Sequence, residues 1–275
     1  MPAFICTTCG VQYPVSEAPP ARCIICEDDR QYVNARGQSW TTMASLRQTH
    51  FNAFRRHEAG LMGVGTMPAF AIGQRALLVR TPQGNILWDC ISFIDDATVA
   101  IITALGGVSA IAASHPHFYA AMVEWSHALG GPTIHLHASD RRFVTRLDSV
   151  ISFWEDELLE LSPGITLIRC GGHFPGSTVL HWAQGAGGLG ALMTGDTIQV
   201  TPDRNASFMR SYPNLIPLNA DTVLRITDTL EPWPFEAIYG GWWDRIIPSN
   251  AKAVLSRSAQ RYVAAIAGEE GAETY

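Results

Sequence analysis

Three histidines and an aspartate follow apolar, strand-like segments of the chain, and their types and positions predict a metal site. His115 and His117 leave the end of one apolar run with a single residue between them. His173 lies in a glycine-rich loop, and Asp196 follows a later strand-like run. Three imidazoles bound to one divalent ion leave a fourth position for water, and the ion lowers the pKa of that water towards about 7. Asp196 can serve as a further ligand or as a base that orients the water.

A second set of metal-ligating residues lies near the N-terminus. Four of the six cysteines form two Cys-x-x-Cys pairs, namely Cys6 with Cys9 and Cys23 with Cys26. This spacing favours a metal site over disulfide bonds. Four thiolates leave no open coordination position, so we expect a structural ion that stabilises a segment with few apolar residues. Residues 1–35 resemble a rubredoxin-like zinc ribbon, with iron as an alternative to zinc and a redox-active dithiol as the other interpretation.

The elements that must position these residues can be predicted from the pattern of apolar and turn residues. Residues 36–60 are predicted to form a helical connector, with its helix beginning near Ser39. Short β-like runs follow, among them 69–72, and a helix is predicted over 116–129. A second series of strands and helices comes after it. Two β series, each followed by helices, predict a two-sheet layered core.

Composition and charge narrow the class of protein. The 275 residues are enough for one large domain with a small appendage, and 47% of them are hydrophobic. No apolar run reaches the roughly 18 residues of a membrane span, and the N-terminus has no secretory signal, so we expect a cytoplasmic protein. The net charge is −6 and no basic block occurs, which argues against nucleic-acid binding.

The order of these motifs resembles the metallo-β-lactamase superfamily of hydrolases. That family's signature is Ser/Thr-His-x-His-x-Asp-His after a strand, then a Gly-His loop, a Gly-Asp strand end and a final Gly-His. Residues 114–117, 172–173 and 195–196 match the first three parts in order and spacing. The resemblance covers roughly residues 61–275. It implies the four-layer αββα sandwich of that family, which is α/β in class, with the zinc ribbon as a small N-terminal addition.

Two departures from the signature bear on how many ions are bound. Tyr119 and Ala120 occupy the positions of the signature Asp and of the His that follows it, and residues 240–243 contain no histidine. In the family, the missing residues hold a second metal ion. The resemblance therefore implies a degenerate second site and one remaining ion, with Asp196 as its fourth ligand or as an outer group. The Tyr119 hydroxyl is expected to fill the vacated space and to hydrogen-bond the substrate or a bound water.

The ligands implied for the remaining ion are His115, His117, His173 and Asp196. His135 and His137 alternate along a predicted strand and form a weaker ligand pair. Trp242 and Trp243 either line the cavity or pack in the core.

These residues predict a metal-dependent hydrolase with one zinc ion in the cavity and one in the ribbon, and iron is an alternative at either site. Metal-bound hydroxide would attack a small ester, thioester or lactone, with Asp196 and Tyr119 as the catalytic side chains. A catalytically degenerate metal-binding or scaffold protein of the same fold is the first alternative, because the second metal site is lost. A mononuclear iron oxidoreductase is the second. The expected partner is a small-molecule substrate, with a second copy of the chain, in a homodimer, as a further option.

Overall fold

The computed structural model describes residues 1–269, so the last six residues of the predicted 61–275 domain lie outside the described part. The chain divides into two compact units, Met1–Glu155 and Asp156–Tyr275. Within residues 1–269, no helix is both long and apolar enough to cross a membrane.

The first unit begins with a small antiparallel sheet that carries the cysteine pairs. Its strands are β1 (Ala3–Cys6), β2 (Gln12–Val15) and β3 (Trp40–Thr42), and the short helix α1 (Met43–Leu46) follows them. The strand order is β2-β1-β3. Ile5, Leu46 and Phe93 form a small buried cluster, so this sheet shares apolar contacts with the larger part of the unit.

A seven-stranded mixed sheet makes up the rest of the first unit. Its strands are β4 (Phe51–Glu58), β5 (Leu61–Met67), β6 (Arg75–Val79), β7 (Ile86–Trp88), β8 (Ala110–Ala112), β9 (Thr133–His137) and β10 (Ile151–Trp154). They lie side by side in the order β10-β9-β8-β7-β6-β5-β4. Pairing is antiparallel from β4 to β7 and parallel from β7 to β10. The ends of β7 and β8 therefore lie at the same edge, where the histidine pair leaves the sheet.

Two α-helices and two 3-10 helices connect these strands. The α-helices are α2 (Asp96–Ala104) and α3 (Met122–Ala128), and the 3-10 helices span Pro116–Phe118 and Ala138–Phe143. Asp95 begins α2, because its carboxylate accepts the backbone N–H of Thr98 at 2.8 Å.

The structure differs from the sequence prediction at three places in the first unit. The helix of the connector 36–60 is only α1, and residues 51–58 form the edge strand β4 instead. Residues 69–72 form a turn rather than a strand, since Ala71 and Gly73 both have left-handed backbone (φ +52° and +70°). The helix predicted over 116–129 breaks at Ala120, whose φ of +43° cannot continue a right-handed helix.

The second unit is built on a six-stranded sheet covered by helices. Its strands are β11 (Leu158–Ser162), β12 (Ile165–Arg169), β13 (Thr178–Trp182), β14 (Ala191–Gly195), β19 (Ala237–Gly240) and β20 (Ile246–Ile247), in the order β11-β12-β13-β14-β19-β20. Only the pair β14–β19 is parallel. The helices are α4 (Gly185–Gly188), α5 (Ala220–Leu230) and α6 (Ala251–Ala267). The core of this unit joins buried residues of α5 and α6, such as Ile226 and Leu255, to sheet residues such as Ile238.

Short strands occupy most of the segment 198–218, which precedes α5. They are β15 (Gln199–Val200), β16 (Ala206–Ser207), β17 (Met209–Ser211) and β18 (Ile216–Pro217), paired as β15–β16 and β17–β18.

Candidate functional site

Two groups of buried residues supply ligand atoms of types that bind metal ions. They are Cys6, Cys9, Cys23 and Cys26, and His115, His117, His173 and Asp196. The cysteines and the first two histidines belong to the first unit, and the last two residues belong to the second unit.

The four cysteines of the first unit form a closed cluster. Their Sγ atoms all lie within 4.8 Å of one another, and none of the cysteines forms a disulfide. The Sγ atoms of Cys6 and Cys26 are 3.5 Å apart, and those of Cys9 and Cys23 are 3.6 Å apart. Zinc–sulfur bonds of about 2.3 Å would place tetrahedral ligand sulfurs about 3.8 Å apart. The cluster therefore fits one tetrahedral ion, and its full burial leaves no room for a substrate.

Polar groups around the cluster orient its sulfurs. The Gln38 side-chain amide donates to Cys6 Sγ at 3.0 Å. The Tyr13 hydroxyl accepts the backbone N–H of Ile24, within the second cysteine turn, at 2.9 Å. Burial raises the pKa of the Cys9 thiol well above its usual value. Such outer partners hold ligands in position, and a bound cation offsets the cost of burying thiolates.

His115 and His117 leave the end of β8 through a tight turn. His115 is extended (φ −174°), and Pro116 begins the 3-10 helix that contains His117. The two imidazole rings are buried, with centroids 5.3 Å apart. Burial, with a smaller contribution from the Arg30 guanidinium, lowers the pKa of His115 to about 3. This imidazole is therefore neutral near pH 7, which is the form that binds metal ions.

Asp89 holds the histidine turn and was missed by the sequence prediction. It follows β7 directly, is 2% exposed and has left-handed backbone (φ +62°). Its Oδ1 accepts the backbone N–H of Ser114 at 2.7 Å, and the Ser114 hydroxyl lies 3.0 Å from His115 Nδ1. The available signal was an acidic residue directly after a wholly apolar strand. Asp89 thus orients the turn that carries His115.

Tyr119 and Ala120 stand where the metallo-β-lactamase signature has ligands. Tyr119 is buried, and its pKa lies well above the usual range because of burial and the nearby Asp140 carboxylate. Its phenol is therefore protonated and can donate a hydrogen bond. Tyr119 and Ala120 line a small cavity of about 10 Å³ together with Gln12.

In the second unit, His173 and Asp196 lie side by side. Nε2 of His173 is 3.7 Å from Oδ1 of Asp196, and both side chains are buried. Nδ1 of His173 lies 3.0 Å from the backbone carbonyl of Met209, so it is the protonated nitrogen that donates there. Ligand atoms about 2.1 Å from one tetrahedral ion lie about 3.4 Å apart. The distance is too long for a hydrogen bond and fits two ligands of one ion.

The backbone around His173 and Asp196 packs closely against neighbouring side chains. Gly172 has a φ of +86°, and a Cβ atom there would lie 2.8 Å from Cδ1 of Ile226. The Tyr212 hydroxyl donates to the backbone carbonyl of Asp196 at 2.9 Å, and its ring lies 5.6 Å from that of His173. Sequence reasoning identified neither Tyr212 nor the Met209 carbonyl, because neither carries a ligand pattern.

A pocket of about 410 Å³ lies at the end of β19, beside the strand that leads to Asp196. It is lined by Gln199, Trp242, Trp243, Asp244 and Arg245. The backbone N–H of Gly241 donates to the carbonyl of Gly195 at 3.1 Å, which joins the two strand ends. Both tryptophans are half-buried. Both therefore line this pocket, and that they also line the metal cavity stays a prediction.

The weaker histidine pair has structural contacts instead. His137 is buried, its Nδ1 accepts the backbone N–H of Ser139 at 3.2 Å, and its ring packs against Trp154 at 4.6 Å. His135 is only half-buried. Neither belongs to a ligand group within the described residues.

Comparison with known proteins supports one fold and one family. No protein-family profile matches the chain. The chain is 45% identical over 272 residues to the uncharacterized protein YmaE of Bacillus subtilis (strain 168), with 98% of each chain covered. It resembles the solved metallo-β-lactamase FIM-1 from Pseudomonas aeruginosa in its mono-zinc form (TM-score 0.55, 13% identity, 76% of this chain and 95% of that chain). It also resembles TTHA1623 in a di-iron-bound form (TM-score 0.51, 18% identity, 76% and 98%). The chain therefore belongs to the same family as YmaE and has the metallo-β-lactamase fold.

Proposed function

We propose that this protein is a metal-dependent hydrolase that acts on a small ester, thioester or lactone with one ion in its catalytic cavity. The observation that carries the proposal is the pair His173 and Asp196, whose ligand atoms are 3.7 Å apart while Nδ1 of His173 is held by a backbone carbonyl. A histidine that ligates a metal usually donates its other ring N–H to such an outer acceptor.

The cavity ion is proposed to be bound by three imidazoles and a carboxylate. His115 and His117 would supply two imidazoles, His173 a third, and Asp196 a carboxylate. The neutral state of His115 and the outer partners of His115 and His173 support this assignment. A second ion in the cavity is not proposed, because Tyr119, Ala120 and residues 240–243 offer none of the signature ligands.

A bound divalent ion supplies two things to a hydrolase, a coordinated water of lowered pKa and polarisation of the substrate carbonyl. The residues of the chain do the rest. Asp196 is proposed to orient the attacking water and to accept its proton at a carboxylate oxygen. Tyr119, which stays protonated, is proposed to donate a hydrogen bond to the substrate or to water. The 410 Å³ pocket lined by Trp242 and Trp243 is proposed to hold an apolar or aromatic part of the substrate.

Zinc is the proposed ion at both sites, with iron as the alternative at either. Three imidazoles and a carboxylate suit either metal. The relative in fold TTHA1623 was solved with iron bound, and FIM-1 was solved with one zinc ion. An iron centre would favour the oxidoreductase alternative, and a cavity without turnover would favour the scaffold alternative.

Metal content and turnover of two histidine variants test the proposal. His173→Ala removes the proposed ligand, and His181→Ala is the matched control, since His181 is also buried in the second unit and bound to a backbone carbonyl (Pro234, 2.7 Å). We expect the wild type and His181→Ala to hold two ions per chain and to hydrolyse a member of an ester, thioester and lactone panel. His173→Ala should hold only the ribbon ion and lose turnover. A His173→Ala variant that keeps two ions and full turnover would contradict the proposal.

A further inference from the structure

The first cysteine turn of the ribbon touches the histidine turn of the same unit. The hydroxyl of Ser92 donates to the Gly10 carbonyl at 2.8 Å. Two residues later, the backbone N–H of Gln12 donates to the carbonyl of Ala120 at 3.0 Å. Ala120 lies three residues after His117, so the ribbon binds the far end of the histidine turn directly.

Gln12 is also held from its other side. The Thr145 hydroxyl donates to the Gln12 carbonyl at 2.8 Å. Arg146 donates to the Gln12 side-chain oxygen and, at 2.9 Å, to Glu124 of α3. The cavity left in this seam is about 10 Å³, which is room for one water at most. The ribbon is therefore joined to this part of the first unit by several hydrogen bonds, one of which reaches Ala120 at the end of the histidine turn.

The same ribbon turn carries two cysteines. The N–H of Cys6 donates to the Val11 carbonyl at 3.0 Å, and that of Gly10 donates to the Cys6 carbonyl at 2.9 Å. Cys9 directly precedes Gly10. An ion bound to Cys6 and Cys9 therefore fixes the backbone that contacts Ser92 and Ala120.

The contact from the ribbon holds Ala120 in an unusual backbone conformation. Its left-handed backbone (φ +43°) separates the 3-10 helix containing His117 from helix α3. A non-glycine residue keeps such a conformation only when its surroundings hold it. Without the Gln12 N–H, the Ala120 carbonyl loses a partner inside a buried seam, and the turn that carries His115 and His117 loses support.

We propose that the cysteine ribbon is a positioning module for the catalytic cavity, so that an ion in the ribbon strengthens metal binding by the His115–His117 turn through Gly10 and Gln12. The inference rests on the proposed function, since it concerns the cavity ion. Coupling between two binding sites is reciprocal, so the cavity ion would strengthen metal binding by the ribbon equally.

Two glycine variants of the ribbon test the coupling in the full-length protein. Gly10→Ala places a Cβ atom 2.3 Å from the Ser92 hydroxyl oxygen and 3.1 Å from Cβ of Ala71, which pushes the ribbon turn away from its contacts. Gly37→Ala is the matched control, because Gly37 has a similar backbone (φ +90°) but nothing within 4 Å of its added Cβ. Titration with cobalt(II) separates the two sites, because only the thiolate-bound ion shows sulfur-to-metal charge-transfer absorption.

We expect Gly10→Ala to bind cobalt in the cavity about tenfold more weakly than Gly37→Ala, within the usual range of coupling between sites. Hydrogen exchange of the backbone amides in residues 117–121 should be faster in Gly10→Ala. Equal cavity affinity and equal exchange in the two variants would overturn the inference.

A milder variant covers the case in which Gly10→Ala does not fold. Thr145→Val removes only the hydroxyl that donates to Gln12, and it should weaken cavity binding and speed exchange in the same direction. Unchanged cavity affinity in Thr145→Val would then overturn the inference. A failure of the proposed function would give a distinguishable result. In that case the wild type itself would bind no ion outside the ribbon, whereas a failure of the coupling would leave cavity binding equal in the wild type and the variants.

Discussion

The carboxylate of Asp89 is expected to stabilise the first unit and to raise the metal affinity of the cavity. It accepts the Ser114 N–H at 2.7 Å in a site that is 2% exposed. A hydrogen bond to a charged group contributes about 1.5–3 kcal/mol to the free energy of unfolding. The φ of Asp89 is +62°, where alanine costs about 1–2 kcal/mol and asparagine is tolerated.

Three replacements of Asp89 separate the contribution of the carboxylate hydrogen bond from that of the left-handed backbone. Asp89→Asn keeps an acceptor and a tolerated backbone, so we expect a loss of about 1 kcal/mol in the free energy of unfolding. Asp89→Gly removes the carboxylate without left-handed strain and should cost roughly 2–4 kcal/mol. Asp89→Ala removes the carboxylate and adds strain, for a loss of roughly 2.5–5 kcal/mol. Urea unfolding of the metal-free variants measures each loss.

The effect on the cavity distinguishes orientation from general stability. Loss of an outer partner of a metal ligand lowers metal affinity by about 10- to 100-fold. Asp95→Ala is the matched control, since Asp95 also accepts a backbone N–H, that of Thr98, but at the start of α2. It should cost about 1 kcal/mol of stability and leave cavity affinity unchanged. If Asp89→Gly, which removes the acceptor, binds the cavity ion as tightly as Asp95→Ala, the orienting role of Asp89 is refuted.

Three further predictions concern the second unit. Replacing Trp243 by alanine should raise the KM for a hydrolysed substrate roughly tenfold with little change in stability, because an aromatic wall of the pocket is lost. The control Trp233→Ala removes packing against the core and should instead lower the urea midpoint of unfolding. Hydrogen bonds from Thr201 and Arg261 hold the pKa of Asp203 below its usual 3.8, so the stability it adds is present above that value and is lost as pH falls through the folded-state pKa. Asp203→Asn should accordingly flatten the acid slope of the unfolding free energy between about pH 5 and pH 2, and an unchanged slope would contradict this origin. Burial raises the pKa of the Cys170 thiol to about 12, so its alkylation in native protein at pH 8.5 should be about three orders of magnitude slower than in urea, as measured by mass spectrometry.

The residues proposed to bind metal could be predicted from the sequence because ligand chemistry allows few side chains. Cysteine pairs at Cys-x-x-Cys spacing and histidines at strand ends are recognisable without any knowledge of packing. The cysteine cluster predicted from Cys6, Cys9, Cys23 and Cys26 is observed within the first unit. The metallo-β-lactamase fold expected from the motif order is confirmed by the solved structures that the chain resembles.

The supporting contacts could not be predicted, because they depend on backbone atoms and on tertiary packing. The Met209 carbonyl that holds His173 carries no sequence signal at all. Phe51 and Phe54 are spaced as on a helix, yet pairing with β5 places them in an edge strand. Ala120 has high helix propensity but a left-handed backbone, held by a contact from a residue more than a hundred positions earlier.

An anomalous-diffraction map of zinc-loaded crystals, recorded at the zinc edge, tests the central claim most directly. The proposed assignment predicts two zinc peaks per chain. One lies among the sulfurs of Cys6, Cys9, Cys23 and Cys26. The other is bound by His115, His117 and His173, with Asp196 as ligand or neighbour. A cavity with two zinc peaks, or with none while the ribbon is fully loaded, would contradict the assignment of a single catalytic ion.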